Sequence, residues 1–249
     1  MTSNPVQQMA DVIALPARSV GNQAADLATT SVRTVRTWTA NEVDDWGRDN
    51  AFVNRVWSLS QLRWNISVGG AERVPKRAGA LIVVNARRFA LAPLFASLAI
   101  GAATDRPVRF VGRPDVAPVG PMMQRLGALL PVDAEILGAL HAGEVVVIGA
   151  AHEYSNRQTG LIDHRQVGAA VAAKVQVLPA AAVSVPLRRN ARVEIGAPVK
   201  TRKRRRGPLE ELETADLVQA HIDAMLDEMG GTMTGTPLDW LPTGGLGGL

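Results

Sequence analysis

Short apolar runs alternate with helical stretches between residues 66 and 195, and this alternation constrains the fold more than any other feature. The run at 80–84 contains only Ala, Leu, Ile and Val, which is typical of a strand buried on both faces. Similar runs predict further strands at 66–68, 108–111, 144–149, 177–185 and 191–195. Helices are predicted between them, at 93–102, 120–129, 134–142 and 165–174. The pattern indicates an α/β fold with a mainly parallel central sheet flanked by helices.

Helical segments flank this region on both sides. Residues 1–40 carry apolar positions at helical spacing, and a second helix is predicted within 44–64, with one apolar face formed by Phe52, Val56, Leu59 and Leu62. Residues 208–229 predict one amphipathic helix, with the inner positions Leu209, Leu212, Leu217, His221, Met225 and Met229. The chain is therefore divided into an N-terminal helical segment (1–43), an α/β domain (44–199), a basic linker with the C-terminal helix (200–231) and a flexible glycine-rich tail (232–249).

The amino-acid composition excludes several kinds of chemistry. The chain has no cysteine, so disulfides, thiolate nucleophiles and cysteine-based zinc sites are excluded. Its four histidines are too scattered along the sequence to suggest a metal cluster. We therefore expect neither a metal nor another cofactor.

Six of the seven residues from 200 to 206 are cationic, within a chain of net charge +4: Lys200, Arg202, Lys203, Arg204, Arg205 and Arg206. Such a run is typical of a solvated linker, but it also suits contact with anionic lipid headgroups. Nucleic acid is a third alternative, which the absence of flanking stacking aromatics disfavours. There is no signal-peptide pattern and no run of about 18 apolar residues. We expect a cytoplasmic protein with peripheral contact on the inner face of the cell membrane.

Several segments of the predicted domain resemble the glycerolipid acyltransferases, which acylate glycerol 3-phosphate or lysophosphatidate. These segments are Gly-Ala-Glu-Arg-Val-Pro at 70–75, the strand ending at Asn85, Val-Gln-Val-Leu-Pro at 175–179 and the closing stretch at 191–198. The resemblance covers residues 44–199. It implies the α/β fold predicted above and an apolar acyl-binding groove that the Ala/Val-rich strands line.

The resemblance also implies where catalytic residues belong, and this sequence departs from the pattern there. In the family, the strand ending at Asn85 runs into Asn-His-x₄-Asp, in which His is the general base and Asp orients it. Here Ala86 takes the place of His and Leu91 the place of Asp. No histidine elsewhere is followed by an acidic residue five positions later. His152, after the strand at 144–149, is a weak substitute candidate.

Arginines are the candidates for holding an anionic group of the substrate. The resemblance places Arg113 in the acceptor-phosphate block, and a one-residue slip aligns Arg157 with the family's phosphate-binding arginine. Arg87 and Arg88 follow the altered catalytic position. A surface salt bridge explains Arg113 equally well.

Three hypotheses about function follow. The first is a catalytically inactive acyltransferase homologue that binds an acyl chain, a lysolipid or acyl-CoA, or an intact acyltransferase as protein partner, in glycerophospholipid metabolism. The second is an active O-acyltransferase that uses acyl-CoA, a glycerolipid acceptor and non-standard catalytic residues. The third is a structural or regulatory subunit that docks a partner or membrane through residues 1–40 or 200–229.

Overall fold

The computed structural model describes residues 43–86, 92–150, 161–184, 189–200 and 207–229. Within these ranges the helices are α1 (Asn50–Arg63), α2 (Ala92–Thr104), α3 (Val119–Arg125), α4 (Asp133–His141), α5 (His164–Ala173) and α6 (Pro208–Glu228), with a 3₁₀ turn at Ala71–Arg73. The strands are β1 (Asn65–Gly69), β2 (Ala80–Asn85), β3 (Val108–Val111), β4 (Ala128–Leu129), β5 (Val145–Ala150), β6 (Gln176–Ser184) and β7 (Asn190–Ile195).

The described strands form one sheet in the order β1-β7-β6-β2-β5-β3-β4. Strands β2 to β6 run parallel to one another, β7 is antiparallel to β6, and β1 is parallel to β7. The predicted α/β fold with a mainly parallel sheet is therefore confirmed. We call the edge where β2, β3 and β5 end the carboxyl edge, and the edge where they begin the amino edge. Because β1 and β7 run the opposite way, they begin at the carboxyl edge.

Two layers of helices cover the sheet, as the continuous apolar strands require. Strand β2 is completely buried, and its alternate side chains enter two different clusters. Ile82 and Val84 pack in the cluster that contains side chains of α1 and α2, whereas Leu81 and Val83 pack with α4, α5 and α6. The sheet thus forms the middle of three layers, and the strand ends are left for the connecting segments.

The predicted helix at 120–129 is wrong in its second half. Helix α3 ends at Arg125, and Ala128–Leu129 form the short strand β4 beside β3. Gly127 has a φ of +92°, which breaks the helix and turns the chain back into the sheet. Strand β4 therefore extends the sheet beyond β3.

The helix predicted within 44–64 begins later than its pattern indicates. The Asp44 carboxylate accepts hydrogen bonds from the backbone N–H groups of Trp46 and Arg48, at 3.0 and 2.9 Å, which holds this segment in a turn. Asp49 then caps α1 by accepting from the N–H of Phe52 at 3.0 Å. Residues 44–49 therefore form a turn and a helix cap, and α1 begins only after them.

The predicted inner faces of α1 and α6 are only partly correct. Leu59 and Leu62 are 64% and 73% exposed, and in α6 Leu209, Leu212 and His221 are exposed. The buried line of α6 instead consists of Thr214, Ala215, Val218, Ile222 and Leu226. The sequence pattern favoured the largest apolar side chains. Helix α5 buries the small side chains of Ala169 and Ala170 in the same cluster as the apolar residues of this line.

No helix within the described ranges is both long enough and apolar enough to cross a bilayer. This finding concerns only the residues that the structure describes.

Candidate functional site

The ends of β2 and β5 lie side by side at the carboxyl edge. Val84 is in register with Gly149, and Asn85 with Ala150. This register brings together the end of the Asn-containing strand and the end of the valine-rich strand, which are far apart in sequence. The position that the acyltransferase resemblance assigns to a catalytic base is therefore next to the end of β5.

Asn85 is used to hold the sheet together. Its side chain is buried; Nδ2 donates to the carbonyl of Ala182 at 2.9 Å, and Oδ1 accepts from the N–H of the same residue at 2.6 Å. Regular pairing between β2 and β6 stops at Val84 and Ala180. The amide of Asn85 therefore supplies the pairing that one more strand residue would give, and both of its polar groups are occupied.

Ala86 contributes only a methyl group at this edge, and its surroundings are tight and apolar. A β-carbon added to Gly149 would lie 2.8 Å from the Ala86 Cβ and 2.9 Å from Pro93 Cγ. Alanine and glycine carry no group that accepts or donates a side-chain proton. The described residues at the ends of β2 and β5 therefore provide no general base at this point.

Arg113 lies just beyond β3, at the same edge of the sheet, and is engaged by a carboxylate. Its Nη2 is 3.4 Å from Oε1 of Glu135, in the first turn of α4, and both side chains are mostly buried. A substrate phosphate would have to share this guanidinium with Glu135. Arg113 thus lies at the carboxyl edge with Glu135 as its counter-ion.

The other candidate residues fall mostly outside the described ranges. These are Arg87, Arg88, Leu91, His152, Arg157, Arg202, Lys203, Arg204, Arg205 and Arg206. Of the basic run, Lys200 is described and is exposed. Roles proposed for these side chains stay predictions from the sequence.

A cleft of about 410 Å³ opens beside β1 and β7, and sequence reasoning did not find it. We call it the carboxyl-edge cleft; it is lined by Gln61, Trp64, Asn65, Ile66, Arg189 and Asn190. Both strands begin there, so the cleft lies at the carboxyl edge. The sequence feature that could have indicated this cleft is Trp64, which lies between a helix and a strand.

Aromatic contact links this cleft to the helix that follows β2. Phe95 lies in the first turns of α2, and Trp64 follows the end of α1. The centroids of their rings are 4.5 Å apart, and the interplanar angle is 62°. Arg189 donates from Nη2 to the Gln61 carbonyl at 3.1 Å, which steadies one wall. The lining combines amides and one cation with an isoleucine and a mostly buried indole.

No group of three or more His, Asp or Glu side chains is arranged to hold a metal ion within the described ranges.

Two ion pairs lie at the amino edge of the sheet, near the start of β3. Arg109 is buried on β3 and contacts Asp44 at 2.7 Å and Glu144 at 3.2 Å. This contact fastens the Asp44 turn to the sheet.

Comparison with known proteins identifies the fold. No family model matches the chain, and no curated protein sequence matches it. Among solved structures, it is similar to the 1-acyl-sn-glycerophosphate (LPA) acyltransferase PlsC from Thermotoga maritima. The TM-score is 0.53 at 17% sequence identity, over 74% of this chain and 79% of PlsC. The chain has a glycerolipid acyltransferase-like fold.

Proposed function

We propose that this chain is a catalytically inactive homologue of the glycerolipid acyltransferases that binds a lysolipid or an acyl chain. The observation that carries the proposal is the end of β2. There the Asn85 amide is bonded to Ala182, and Ala86 presents a methyl group where the resemblance expects a general base. Proton transfer by such a base is typically worth about 10²–10⁴-fold in rate, and a methyl group supplies none of it.

The carboxyl-edge cleft supports the binding part of this proposal. Its volume of about 410 Å³ lies within the usual range for small-molecule sites. Ile66 and the mostly buried Trp64 are the apolar members of the lining, and Arg189 offers a cation to a phosphate. We expect lysophosphatidate to bind with its headgroup towards Arg189.

A binding experiment tests the ligand assignment. Lysophosphatidate and a monoacylglycerol with the same acyl chain are titrated into the full chain, with isothermal calorimetry below the micelle concentration. Arg189→Gln should weaken lysophosphatidate binding about tenfold and leave monoacylglycerol unchanged, since only the first carries a phosphate. Arg192→Gln is the matched control, because Arg192 is exposed, pairs with Glu194 and lies outside the cleft lining. Failure of both lipids to bind would refute the assignment.

An activity experiment tests the loss of catalysis. Purified protein is given a long-chain acyl-CoA with glycerol 3-phosphate or lysophosphatidate, beside its His152→Ala variant. We expect no transfer above the buffer blank. Transfer that disappears in His152→Ala would instead establish the alternative, an active O-acyltransferase with a non-standard base.

Peripheral membrane contact and a protein partner belong to the same proposal. The basic run 200–206 is our candidate for an anionic lipid surface, and an intact acyltransferase is our candidate partner. Replacing the six cations by glutamine should abolish sedimentation with anionic vesicles. Loss of co-purification with an intact acyltransferase on deletion of residues 1–40 would favour the regulatory-subunit hypothesis.

A further inference from the structure

A second cleft lies at the amino edge, the edge of the sheet opposite to the proposed lipid site. We call it the amino-edge cleft; its volume is about 300 Å³. Its walls are the first half of α1, the end of α2 and the turn after α2. These segments meet because α1 begins at the amino edge and α2 ends there. Its lining includes Arg48, Asn50, Asn54, Trp57 and Arg106. The proposed binding of a lysolipid or acyl chain uses none of these residues.

Arg48 is a buried cation with unfilled hydrogen-bonding capacity. It is only 8% exposed, and its Nε has no acceptor within the described residues. Nη1 donates to the side-chain oxygen of Asn50. Burial lowers the pKa of Arg48 from its ordinary value, and repulsion from Arg109 lowers it further, against attraction from Asp44 and Glu144. The guanidinium is therefore less well compensated than a buried charge requires.

The two nearby carboxylates are already engaged. Asp44 and Glu144 both contact Arg109, at 2.7 and 3.2 Å. Among the described residues, Arg48 itself forms no ion pair with a carboxylate. Because Arg48 lines the cleft, an anion bound there would supply a counter-charge for its guanidinium.

Arg106 adds a second cation in a fixed position. Its guanidinium donates to the backbone carbonyls of Pro75, Ala78 and Gly143, so it is held by neutral acceptors. Asp105 also lines the cleft and contributes one negative charge. The residues that line the cleft, Arg48, Asp105 and Arg106, have a formal net charge of +1. The Arg106 guanidinium itself is bonded to carbonyls outside the lining, so Arg48 is the cation that faces a bound anion.

We propose that the amino-edge cleft binds a small molecule carrying an oxyanion, a phosphate or a carboxylate, attached to an apolar group. The planar guanidinium of Arg48 matches the geometry of such oxyanions. Trp57, Val53 and Leu98 line the same cleft and provide apolar surface for the rest of the molecule. A volume of about 300 Å³ is at the small end of ligand sites, so it favours a compact ligand over a full lipid.

Phenyl phosphate is the probe, and inorganic phosphate and phenol test its two halves separately. Binding to the full chain is followed by the indole N–H resonances of ¹⁵N-labelled protein, with Trp57→Phe identifying one signal among the five tryptophans. We expect phenyl phosphate to shift the Trp57 signal saturably and to bind more tightly than either half. Arg189→Gln should leave this titration unchanged, because Arg189 lies in the other cleft.

Charge substitutions at the exposed end of α2 test the role of the anion. Ala102 lines the cleft, whereas its exposed neighbour Ala103 does not. Ala102→Glu should weaken phenyl phosphate binding at least tenfold, Ala103→Glu less than twofold, and Ala102→Lys should weaken it less than Ala102→Glu. Both positions are at the surface, so the fold is expected to survive all three substitutions.

Three results would overturn the proposal. One is the absence of any Trp57 shift at millimolar phenyl phosphate. Another is equal weakening by Ala102→Glu and Ala103→Glu. The last is equal weakening by Ala102→Glu and Ala102→Lys. That result would mean that the size of the side chain at position 102, and not its charge, determines the affinity for phenyl phosphate.

Discussion

Replacing Asn85 by alanine tests how the end of β2 is held to β6. In the structure, the Asn85 amide donates to the Ala182 carbonyl at 2.9 Å and accepts from the Ala182 N–H at 2.6 Å. Asn85 is 4% exposed, so its side-chain amide is shielded from water in the folded protein. The substitution removes both partners of Ala182 at once.

The expected loss of stability follows from this count. Each hydrogen bond contributes about 1 kcal/mol net, and a buried polar group left unpaired costs about 1–3 kcal/mol. Ala182 is only partly buried, so water can reach its freed groups and the lower end applies. We expect Asn85→Ala to lower the free energy of unfolding by about 2–4 kcal/mol.

Asn85→Asp is the matched variant, because it keeps the shape and changes one group. The carboxyl still accepts from the Ala182 N–H, but only its protonated form can donate to the Ala182 carbonyl. The folded state therefore favours protonation, and the pKa of the new carboxyl lies above its unfolded value of about 3.9. A raised folded pKa means that stability falls as pH rises through this window. The variant should lose more stability at about pH 7 than at about pH 4.

Urea unfolding monitored by circular dichroism measures both effects, with each variant compared with wild type at the same pH. Wild type at each pH serves as the control for the titration of other groups. A loss below about 0.5 kcal/mol in Asn85→Ala would refute the role of the amide, since surface substitutions lie within that range. A pH-independent difference between Asn85→Asp and wild type would refute the donor role.

Two further predictions concern packing and charge. Gly149→Ala should lower stability by about 1–3 kcal/mol, because the added Cβ would lie 2.8 Å from the Ala86 Cβ; adding Ala86→Gly should restore part of the loss in urea unfolding. Asp49→Asn should cost about 1 kcal/mol at neutral pH, because Asn keeps the cap but loses the ion pair with Arg125 at 2.7 Å. The hydrogen bond from Arg125 lowers the pKa of Asp49. The difference from wild type should therefore disappear as pH falls below the unfolded value of about 3.9 and through the lowered folded one. A difference that persists at about pH 2 would contradict the ion-pair explanation.

The sequence predicted the strands better than it predicted which helix faces are buried. The apolar run at 80–84 became β2, buried along its whole length, because such a run has only one environment in which it is stable. In contrast, the inner line of α6 lies at Ala215, Val218, Ile222 and Leu226 and not at the leucines of its first turns. Helix faces depend on the neighbour, and the small residues of α5 were visible only as an unremarkable alanine-rich stretch.

The candidate site was predicted in part. The resemblance located the end of β2 and its alanine at position 86, and the structure puts that residue against Gly149. The roles of Asn85 and of the two clefts could not be read from the chain. Each depends on residues from distant segments, such as Ala182 for the Asn85 amide.

The sequence by itself determined the class of fold, because the alternation of apolar strands and helices is a local property that each segment carries alone. It also determined that Ala86 and Leu91 carry no acid or base, which is a matter of residue type. The tertiary structure decided what each polar side chain is used for. Asn85 pairs with a strand about 100 residues away, and Arg48 is buried beside Arg109 without a carboxylate of its own among the described residues. Burial and hydrogen bonding are properties of neighbours in space, and only the folded chain specifies those neighbours.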